Sequence, residues 1–333
     1  MVFKPFKFTG EADPQGKGAT IGQEDTIMTL YVIRRLLMLI PVLLGVIFLT
    51  FAIAQVTPGD PVVLMLGNYA SPQRVAELRE QLGFNEPFWL QFVRYVWNVL
   101  HGDLGKSVRG QSPVLDEIAA RFPSTLELTV TAMLFAITAG VGAGIVAATA
   151  KSKWIDGLTM LTALVGLSIP SFWLAIILII VFGINLKWIS VTGETGFKDL
   201  ILPSFCLGIG PAAVLARLTR SSILEVVRED YVRTARAKGL SEWTVTMQHV
   251  LRNALIPVVT VIGLQFAGML GGTVFIESVF ARPGLGRFAI NAIATRDYPQ
   301  IQGIVLFGAA IYVLFNLVVD LLYGFIDPRI CYD

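Results

Sequence analysis

Residues 128–150 read LTVTAMLFAITAGVGAGIVAATA, an apolar stretch without one charged side chain. A helix needs about 20 largely apolar residues to cross a hydrocarbon core of about 30 Å. Within that core every backbone amide must be bonded internally, which a helix achieves by itself. The stretch therefore predicts a membrane-spanning helix.

The composition of the whole chain agrees with this reading. Of 333 residues, 54% are hydrophobic and 15% are charged, and the mean hydropathy is +0.68; soluble domains carry about 25% charged residues. The net charge of +2 is too small to indicate a nucleic-acid partner. Cys206 and Cys331 are far apart and belong to no CxxC or His/Cys cluster, so neither a disulfide framework nor a zinc site is indicated.

Five further segments have the length and hydropathy of a span, and together they predict an all-α membrane protein with six transmembrane helices. The third segment contains Pro170, but two crossings would need about 40 residues, so we expect one tilted or kinked helix. The six predicted spans are 36–54, 128–150, 157–184, 200–216, 254–276 and 304–326.

The distribution of basic residues predicts the orientation of these spans, because short cytoplasmic loops are enriched in Lys and Arg. The ends that share a side with the two termini carry Arg34, Arg35, Lys151, Lys153, Arg217, Arg220, Arg228, Arg233, Arg236, Lys238, Arg252 and Arg329. The short loops on the other side carry Lys187, Lys198, Arg282, Arg287 and Arg296. Both termini are therefore predicted to be cytoplasmic, and residues 55–127 form an outer region.

The two regions that flank the first span differ in character. Residues 1–27 are polar and lack a helical period, so we expect a flexible cytoplasmic leader, with either Met1 or Met28 as the natural start. FAIA at 51–54 imitates a signal-peptide cleavage site, but the apolar run before it is too long for one. In the outer region, helices are predicted after Ser71-Pro72 and from Pro87 to Gly102. These helices either lie on the membrane surface or cap an outer mouth.

Motifs for catalysis or nucleotide binding are incomplete. HGDLGKSV (101–108) has the end of a phosphate-binding loop, but that loop needs a glycine where position 100 is Leu. His101 and His249 have no ligand partners at helical spacing. We therefore expect neither enzymatic activity nor a cofactor or metal site in this chain.

A few residues in or beside the spans invite two interpretations. Glu277, Asn316 and Asp320 are candidates for a substrate pathway or gate, because an ionised carboxylate within a membrane is costly, or else for structural pairing. The pairs Gly140/Gly144 and Gly268/Gly272 have the spacing that lets helices approach closely, which favours packing as much as gating.

The basic segment 217–253 between spans four and five is predicted to fold as two short helices. Leu224, Val227, Tyr231 and Ala235 share one face, and Gly239 fits a left-handed cap. Ser241 can cap the next helix, whose predicted apolar face is formed by Trp243, Met247, Val250 and Ala254. Such a stiff connection suits docking of another protein. A membrane-bound helix-turn-helix regulator and a basic loop held by anionic lipid are the alternatives.

Several blocks in this chain resemble the permeases of ABC importers of the dipeptide and oligopeptide type. The resemblance covers nearly everything after residue 28. Its blocks are YVIRRLLMLIPVLLGVIFLTF in span one, TPGDP (57–61), HGDLGKS (101–107), RFPSTLEL (121–128), RTARAKGL (233–240), HVLRNALIPVVT (249–260), PGLGR (283–287), RDYP (296–299) and NLVVDLLYGFIDPR (316–329).

This resemblance implies one half of a prokaryotic type I importer in the inner membrane, with residues 28–333 as the permease domain and 217–253 as the coupling loop. The implied partners are a second homologous permease chain, two ATPase subunits that hold ATP and Mg, an extracytoplasmic binding protein and membrane lipid, with no nucleic acid. The implied ATPase-coupling residues are Tyr231, Arg233, Thr234, Ala235, Arg236, Ala237, Lys238, Gly239 and Leu240. Arg233 and Thr234 replace the Glu and the first Ala of the general permease pattern, so the ion pair of that Glu is unassigned here.

The resemblance leaves the substrate open. Dipeptides or oligopeptides are the main expectation, and glutathione and nickel chelates are alternatives within the same type of complex. A stand-alone channel or secondary transporter remains a further alternative. It would be expected to show charges buried in mid-span or an inverted repeat.

Overall fold

The computed structural model describes residues 21–56, 61–66, 70–81, 83–150, 152–188 and 196–326. Within these ranges the chain is built from helices, joined by turns and one isolated bridge between Lys106 and Pro113. The helices are α1 Ile21–Val56, α2 Pro61–Leu66, α3 Pro72–Gln81, α4 Phe88–Leu100, α5 Val114–Thr149, α6 Lys153–Ser168, α7 Ser171–Leu178, α8 Phe197–Val226, α9 Asp230–Ala237, α10 Glu242–Thr244, α11 Leu251–Ala254, α12 Ile256–Val279, α13 Leu285–Thr295 and α14 Tyr298–Ile326. Two π-helical segments, Ile179–Asn185 and Val245–Val250, follow α7 and α10.

Five of the described helices are long and apolar enough to cross a membrane, and the bent pair α6–α7 makes a sixth span if it is counted as one. The helices extend beyond the predicted spans. For example, α5 begins at Val114 rather than at residue 128, and α14 begins at Tyr298 rather than at residue 304. Hydropathy marks only the part of a helix that suits hydrocarbon, whereas Val114 and Ile118 are buried in protein.

The third predicted span is broken rather than merely kinked. α6 and α7 meet at a bend of 97° at Ile169 and Pro170, and Ile169 has an extended backbone (ψ 122°). Proline has no N–H to donate, and its ring disfavours a helical conformation in the residue before it. The expectation of one helix over 157–184 was therefore wrong.

Two other predicted boundaries also moved. Helix α1 begins at Ile21, so residues 21–27, predicted as part of a flexible leader, are helical, whereas residues 1–20 lie outside the described part of the chain. Helix α8 continues to Val226, so the first ten residues of the predicted loop 217–253 belong to span four. In both places a helix runs past its apolar stretch because polar helix formers such as Gln, Glu and Arg extend it.

The central core lies between α5, α8 and α12. A Cβ at Gly140 would lie 2.5 Å from the Ala212 carbonyl oxygen, and one at Gly144 would lie 2.6 Å from that of Ala216. These two glycines therefore bring the backbones of α5 and α8 together, as helix packing predicts. Gly268 has no neighbour within 4 Å of such a Cβ, so the second glycine pair does not pack in this way.

Candidate functional site

The connection between α8 and α12, residues 227–255, is here called the elbow. Helix α8 ends at Val226, a turn follows, and Glu229 has an extended backbone (ψ 145°) before α9 begins at Asp230. The prediction that Leu224, Val227, Tyr231 and Ala235 share one helix was wrong, because this turn separates them. A short first helix with Asp230 in its first turn is the result.

The elbow packs around a small hydrophobic core whose buried members come from α8, α9, the π-helical segment and α11, with Ile145 and Ala148 of α5 partly buried against it. The resemblance implied that Ala235 contacts an ATPase partner. In the structure Ala235 is buried in this core, so its side chain packs within the chain instead. The buried members are Ile223, Val232, Ala235, Val245, Val250, Leu251 and Ala254.

The turn between α9 and α10 follows the sequence rules. Gly239 has φ +78°, the left-handed conformation that favours glycine, and it ends α9 as predicted. Ser241 caps α10, because its hydroxyl oxygen accepts from the Thr244 N–H at 3.3 Å. Both predictions are confirmed.

Side-chain bonds join the two arms of the elbow. The Asn253 amide donates to the Tyr231 hydroxyl at 2.8 Å and to the His249 carbonyl oxygen at 3.1 Å. The Arg236 guanidinium donates to both carboxylate oxygens of Glu242, at 2.9 and 3.3 Å. Together with the shared core, these contacts make the elbow a unit that is continuous with α8 and with the start of α12.

Trp243 is the main feature of the elbow that sequence reasoning misplaced. It was predicted on the inner face, but it is 72% exposed. The cause is the π-helical segment Val245–Val250, in which the backbone hydrogen bonds span five residues instead of four, so that each turn holds more residues than in an α-helix. Val245 and Val250 therefore turn inwards while Trp243 turns out. In the sequence, the only sign of this inward orientation was the β-branched valine at both positions.

The exposed face of the elbow is mixed in character. Within the described part of the chain, the polar contact of the Arg233 side chain is a long, solvent-exposed one with Asp230, at 3.5 Å. Leu240 and Trp243 add exposed apolar surface beside the basic side chains. The predicted coupling residues that the structure leaves exposed are Tyr231, Arg233, Thr234, Arg236, Ala237, Lys238, Gly239 and Leu240.

An ion pair connects the third span to α8, about two turns before the elbow. Nη2 of Arg220 donates to the Asp156 carboxylate at 2.6 Å, and Nε donates to its other oxygen, which is the bidentate arrangement typical of Arg and carboxylate. Sequence reasoning did not single out Asp156, because nothing local distinguishes it from other acidic residues in a first helical turn.

At the other end of α12, Glu277 belongs to a buried network that we call the clasp: Thr125, Glu277, Leu285, Gly286 and Arg287. The Thr125 hydroxyl donates to Glu277 at 2.6 Å and accepts from the Leu285 N–H at 2.8 Å. The Gly286 and Arg287 N–H groups donate to the same carboxylate at 2.7 and 3.3 Å. Glu277 thus caps the N-terminus of α13, which favours the structural interpretation over a pathway role.

The clasp explains the PGLGR block. A Cβ at Gly284 would overlap the Glu277 carboxylate, and a Cβ at Gly286 would overlap the backbone of Val274. Glycine at both positions therefore allows the start of α13 to close onto α12. Nearby, the buried Arg282 side chain donates to Glu127 at 3.1 Å and so ties the same loop to α5.

Of the remaining candidates, Asn316 is not brought into either network. Asn316 donates to the Tyr312 carbonyl oxygen of its own helix at 3.0 Å, and Asp320 lies one turn further along α14, where its side chain is not among those described. In HGDLGKSV, the Ser107 hydroxyl and the Val108 N–H donate to the buried Asp297 at 2.6 and 3.0 Å. That contact gives the GKS residues a structural role. The described residues contain no group of three or more His, Cys, Asp or Glu that could hold a metal ion.

Two family models together match most of this chain. A family model described as binding-protein-dependent transport system inner membrane component matches residues 140–332, and a model of the N-terminal part of such membrane components matches residues 28–129. The dipeptide transport system permease protein DppB of Alkalihalophilus pseudofirmus is 47% identical, over 92% of this chain and 100% of the relative. The glutathione transport system permease protein GsiC of Escherichia coli K12 is 48% identical, over 91% of this chain and 99% of the relative.

Among solved structures, an inward-facing form of the MetNI methionine ABC transporter has a similar fold. Its TM-score is 0.53 at 17% sequence identity, with 63% of this chain and 96% of the other chain covered. At that identity the likeness concerns the fold alone. The helices of this chain are arranged as in a type I importer permease.

Proposed function

Because the chain belongs to the binding-protein-dependent transport system inner membrane components and is the permease subunit of an ABC importer, not an enzyme, we propose that it forms half of a translocation pathway for dipeptides or oligopeptides. The importer includes ATPase subunits and a binding protein. We further propose a second homologous permease chain and two ATPase subunits that hold ATP and Mg. The dipeptide permease relative, which this chain matches over that relative's full length, supports the peptide substrate.

The elbow is proposed as the site where an ATPase subunit docks. The observation that carries this assignment is that one exposed, mixed basic and apolar surface is built on a core that includes Ile223 of α8 and Leu251 and Ala254 of α11, the helix that runs directly into α12. A push on the elbow therefore moves both helices together, which is what switching between inward-open and outward-open states requires. The basic residues of the elbow support a cytoplasmic location for it and for both termini.

Glutathione is the second candidate substrate, and the glutathione permease relative supports it. Glutathione is itself a modified tripeptide, so one pathway could accept both kinds of molecule. Reconstitution of the complete importer in liposomes would distinguish them. ATP-dependent uptake of a labelled dipeptide that an excess of glutathione does not reduce supports the peptide assignment, whereas uptake of glutathione alone contradicts it.

The docking assignment is tested by the substitution Gly239→Val. Gly239 has φ +78°, where a β-branched residue is strained although no atom lies within 4 Å of a Cβ there. The turn should therefore change shape without a clash in the core. We expect ATP-driven uptake to be lost while the chain remains inserted and assembled.

Gly239→Asn is the matched control, because Asn tolerates the left-handed conformation better than any β-branched residue. Its uptake should stay close to that of the unmodified importer. The measured quantity is uptake per ATP hydrolysed. An unchanged ratio in the Val variant at equal protein levels would show that the elbow does not couple the two events.

A further inference from the structure

Helix α4 of the outer region carries three distinct arcs around its axis, and the first packs against its own chain. Phe88 and Phe92 contact the ring of Phe51 in α1 at centroid distances of 5.3 and 5.7 Å. Tyr95 stacks on the same ring at 5.7 Å. This arc attaches α4 to the last turns of α1.

The second arc is polar and consists of Gln91, Arg94 and Asn98, at the helical spacing of three and four residues. The Gln55 side chain of α1 donates to the Gln91 oxygen at 2.8 Å, and Arg94 pairs with Glu86 at 2.6 Å. Gln55 lies just beyond the apolar window Leu36–Ile53 of α1. Through the Gln55–Gln91 bond, the polar arc contacts α1 just outside the apolar window of that helix.

The third arc is apolar and is left mostly uncovered by the described residues. It consists of Trp89, Val93, Trp97 and Leu100, each at least 60% exposed. Trp89 and Asn98 are nine residues apart, which at about 100° per residue places them on opposite sides of the helix. The third arc thus points away from the polar arc.

The depth of this arc follows from its contact with α1. Trp89 stacks on Phe48 with ring centroids 6.1 Å apart, and Phe48 lies inside the apolar window of α1. Only 11% of that window is buried, and its Leu49 and Ile53 are strongly exposed. The apolar arc of α4 therefore continues an apolar surface of α1 that lies within the hydrocarbon region.

We propose that α4 lies in the membrane interface, with its Trp89–Leu100 arc covered by lipid acyl chains, and so anchors the outer region instead of capping a mouth. Amphipathic helices lie in this way, and Trp is enriched at the membrane–water boundary. Lipid is the occupant because the arc continues the exposed apolar window of α1, while the polar residues lie on the opposite side of the same helix. The proposed orientation of the chain makes this the outer leaflet.

Spin-label accessibility in the assembled importer tests the assignment. A nitroxide is attached to Val93→Cys on the apolar arc or, as the matched control, to Asn98→Cys on the polar arc. Both are placed in a chain in which Cys206→Ala and Cys331→Ser remove the native thiols. Collisions with oxygen, which concentrates in hydrocarbon, are compared with collisions with a water-soluble nickel chelate in lipid nanodiscs.

The label at position 93 should collide with oxygen and lose its response to the nickel chelate, whereas the label at 98 should show the opposite order. Three outcomes at position 93 would overturn the proposal. Access to the chelate would mean that the arc faces water. Protection from both reagents without the binding protein would mean that a second permease chain covers the arc. Protection that appears only when the binding protein is added would mean that the binding protein covers it. Because transport is not measured, failure here leaves the proposed peptide uptake untouched.

Discussion

The elbow and the clasp lie at opposite ends of α12, and they are held together in different ways. In the clasp, buried bonds from Thr125 reach Glu277 and Leu285, which are 152 and 160 positions away along the chain. In the elbow, the ion pair and the Tyr231–Asn253 bond are exposed and join residues 6 and 22 positions apart. Between them, α12 has 24 residues, or about 36 Å at 1.5 Å per residue.

This difference indicates which parts of the molecule move together. The clasp can open only if α5, α12 and α13 separate, which would leave buried polar groups without partners. The elbow keeps its bonds within itself and can be displaced as a unit. We therefore expect the clasp to keep its contacts during transport, while the elbow transmits displacement into α8 and α12.

The largest expected effect is on the clasp. Glu277→Ala would remove the acceptor for the Thr125 hydroxyl and for the Gly286 and Arg287 N–H groups. The free energy of unfolding in mixed micelles should fall by about 3–5 kcal/mol, as when one partner of a buried charged network is deleted.

Glu277→Gln is the control, because it keeps one acceptor oxygen and almost the same shape. It should cost less than the Ala variant. If the Ala variant lost no more than about 1 kcal/mol, a value usual for a single hydrogen bond, the clasp would not be a principal constraint on α12.

The next effect concerns binding at the elbow. Trp243 is exposed, so Trp243→Ala should leave the free energy of unfolding nearly unchanged. If it is an anchor for the ATPase subunit, the substitution should weaken binding by about 2 kcal/mol, or roughly 30-fold in Kd. Titration of the ATPase subunit onto the permease in nanodiscs measures this change.

Trp97→Ala serves as the control, because Trp97 is similarly exposed but lies in α4, outside the elbow. Its ATPase affinity should match that of the unmodified chain. Equal affinity for the Trp243 variant would remove this residue from the docking surface.

The smallest effect is expected for the ion pair between Arg236 and Glu242, whose side chains are exposed to solvent. A double-mutant cycle with Arg236→Ala and Glu242→Ala should give a coupling energy of at most about 1 kcal/mol, and high salt should reduce it. The free energy of unfolding of the four proteins provides the measurement. A coupling energy comparable to that of the clasp would contradict the contrast between the two ends.

Much of the elbow could be predicted because its signals are local. Gly239 ends a helix in a left-handed conformation, and Ser241 caps the next helix, and both depend only on neighbouring backbone groups. The existence of apolar spans was equally accessible, since hydropathy adds up residue by residue. The close approach of Gly140 and Gly144 to another helix agrees with their spacing, but Gly268 and Gly272 have the same spacing and do not pack in this way.

The errors have a common cause. Trp243 was placed on the wrong face because a regular helical period was assumed, and the π-helical segment changed that period to satisfy the core of the elbow. The 97° bend at Pro170 was underestimated because proline predicts a break but not its angle. The turn after Val226 has neither glycine nor proline to mark it.

The amino-acid sequence alone determined that this chain spans a membrane, which segments are apolar, and where the basic connection between the fourth and fifth spans turns. These properties depend on each residue and its immediate neighbours. Only the tertiary structure decided that Glu277 bonds with Thr125, that Asp156 pairs with Arg220, and that Trp243 is exposed. A polar side chain takes whichever partner the packing of distant helices brings within about 3 Å, and no local pattern encodes that choice.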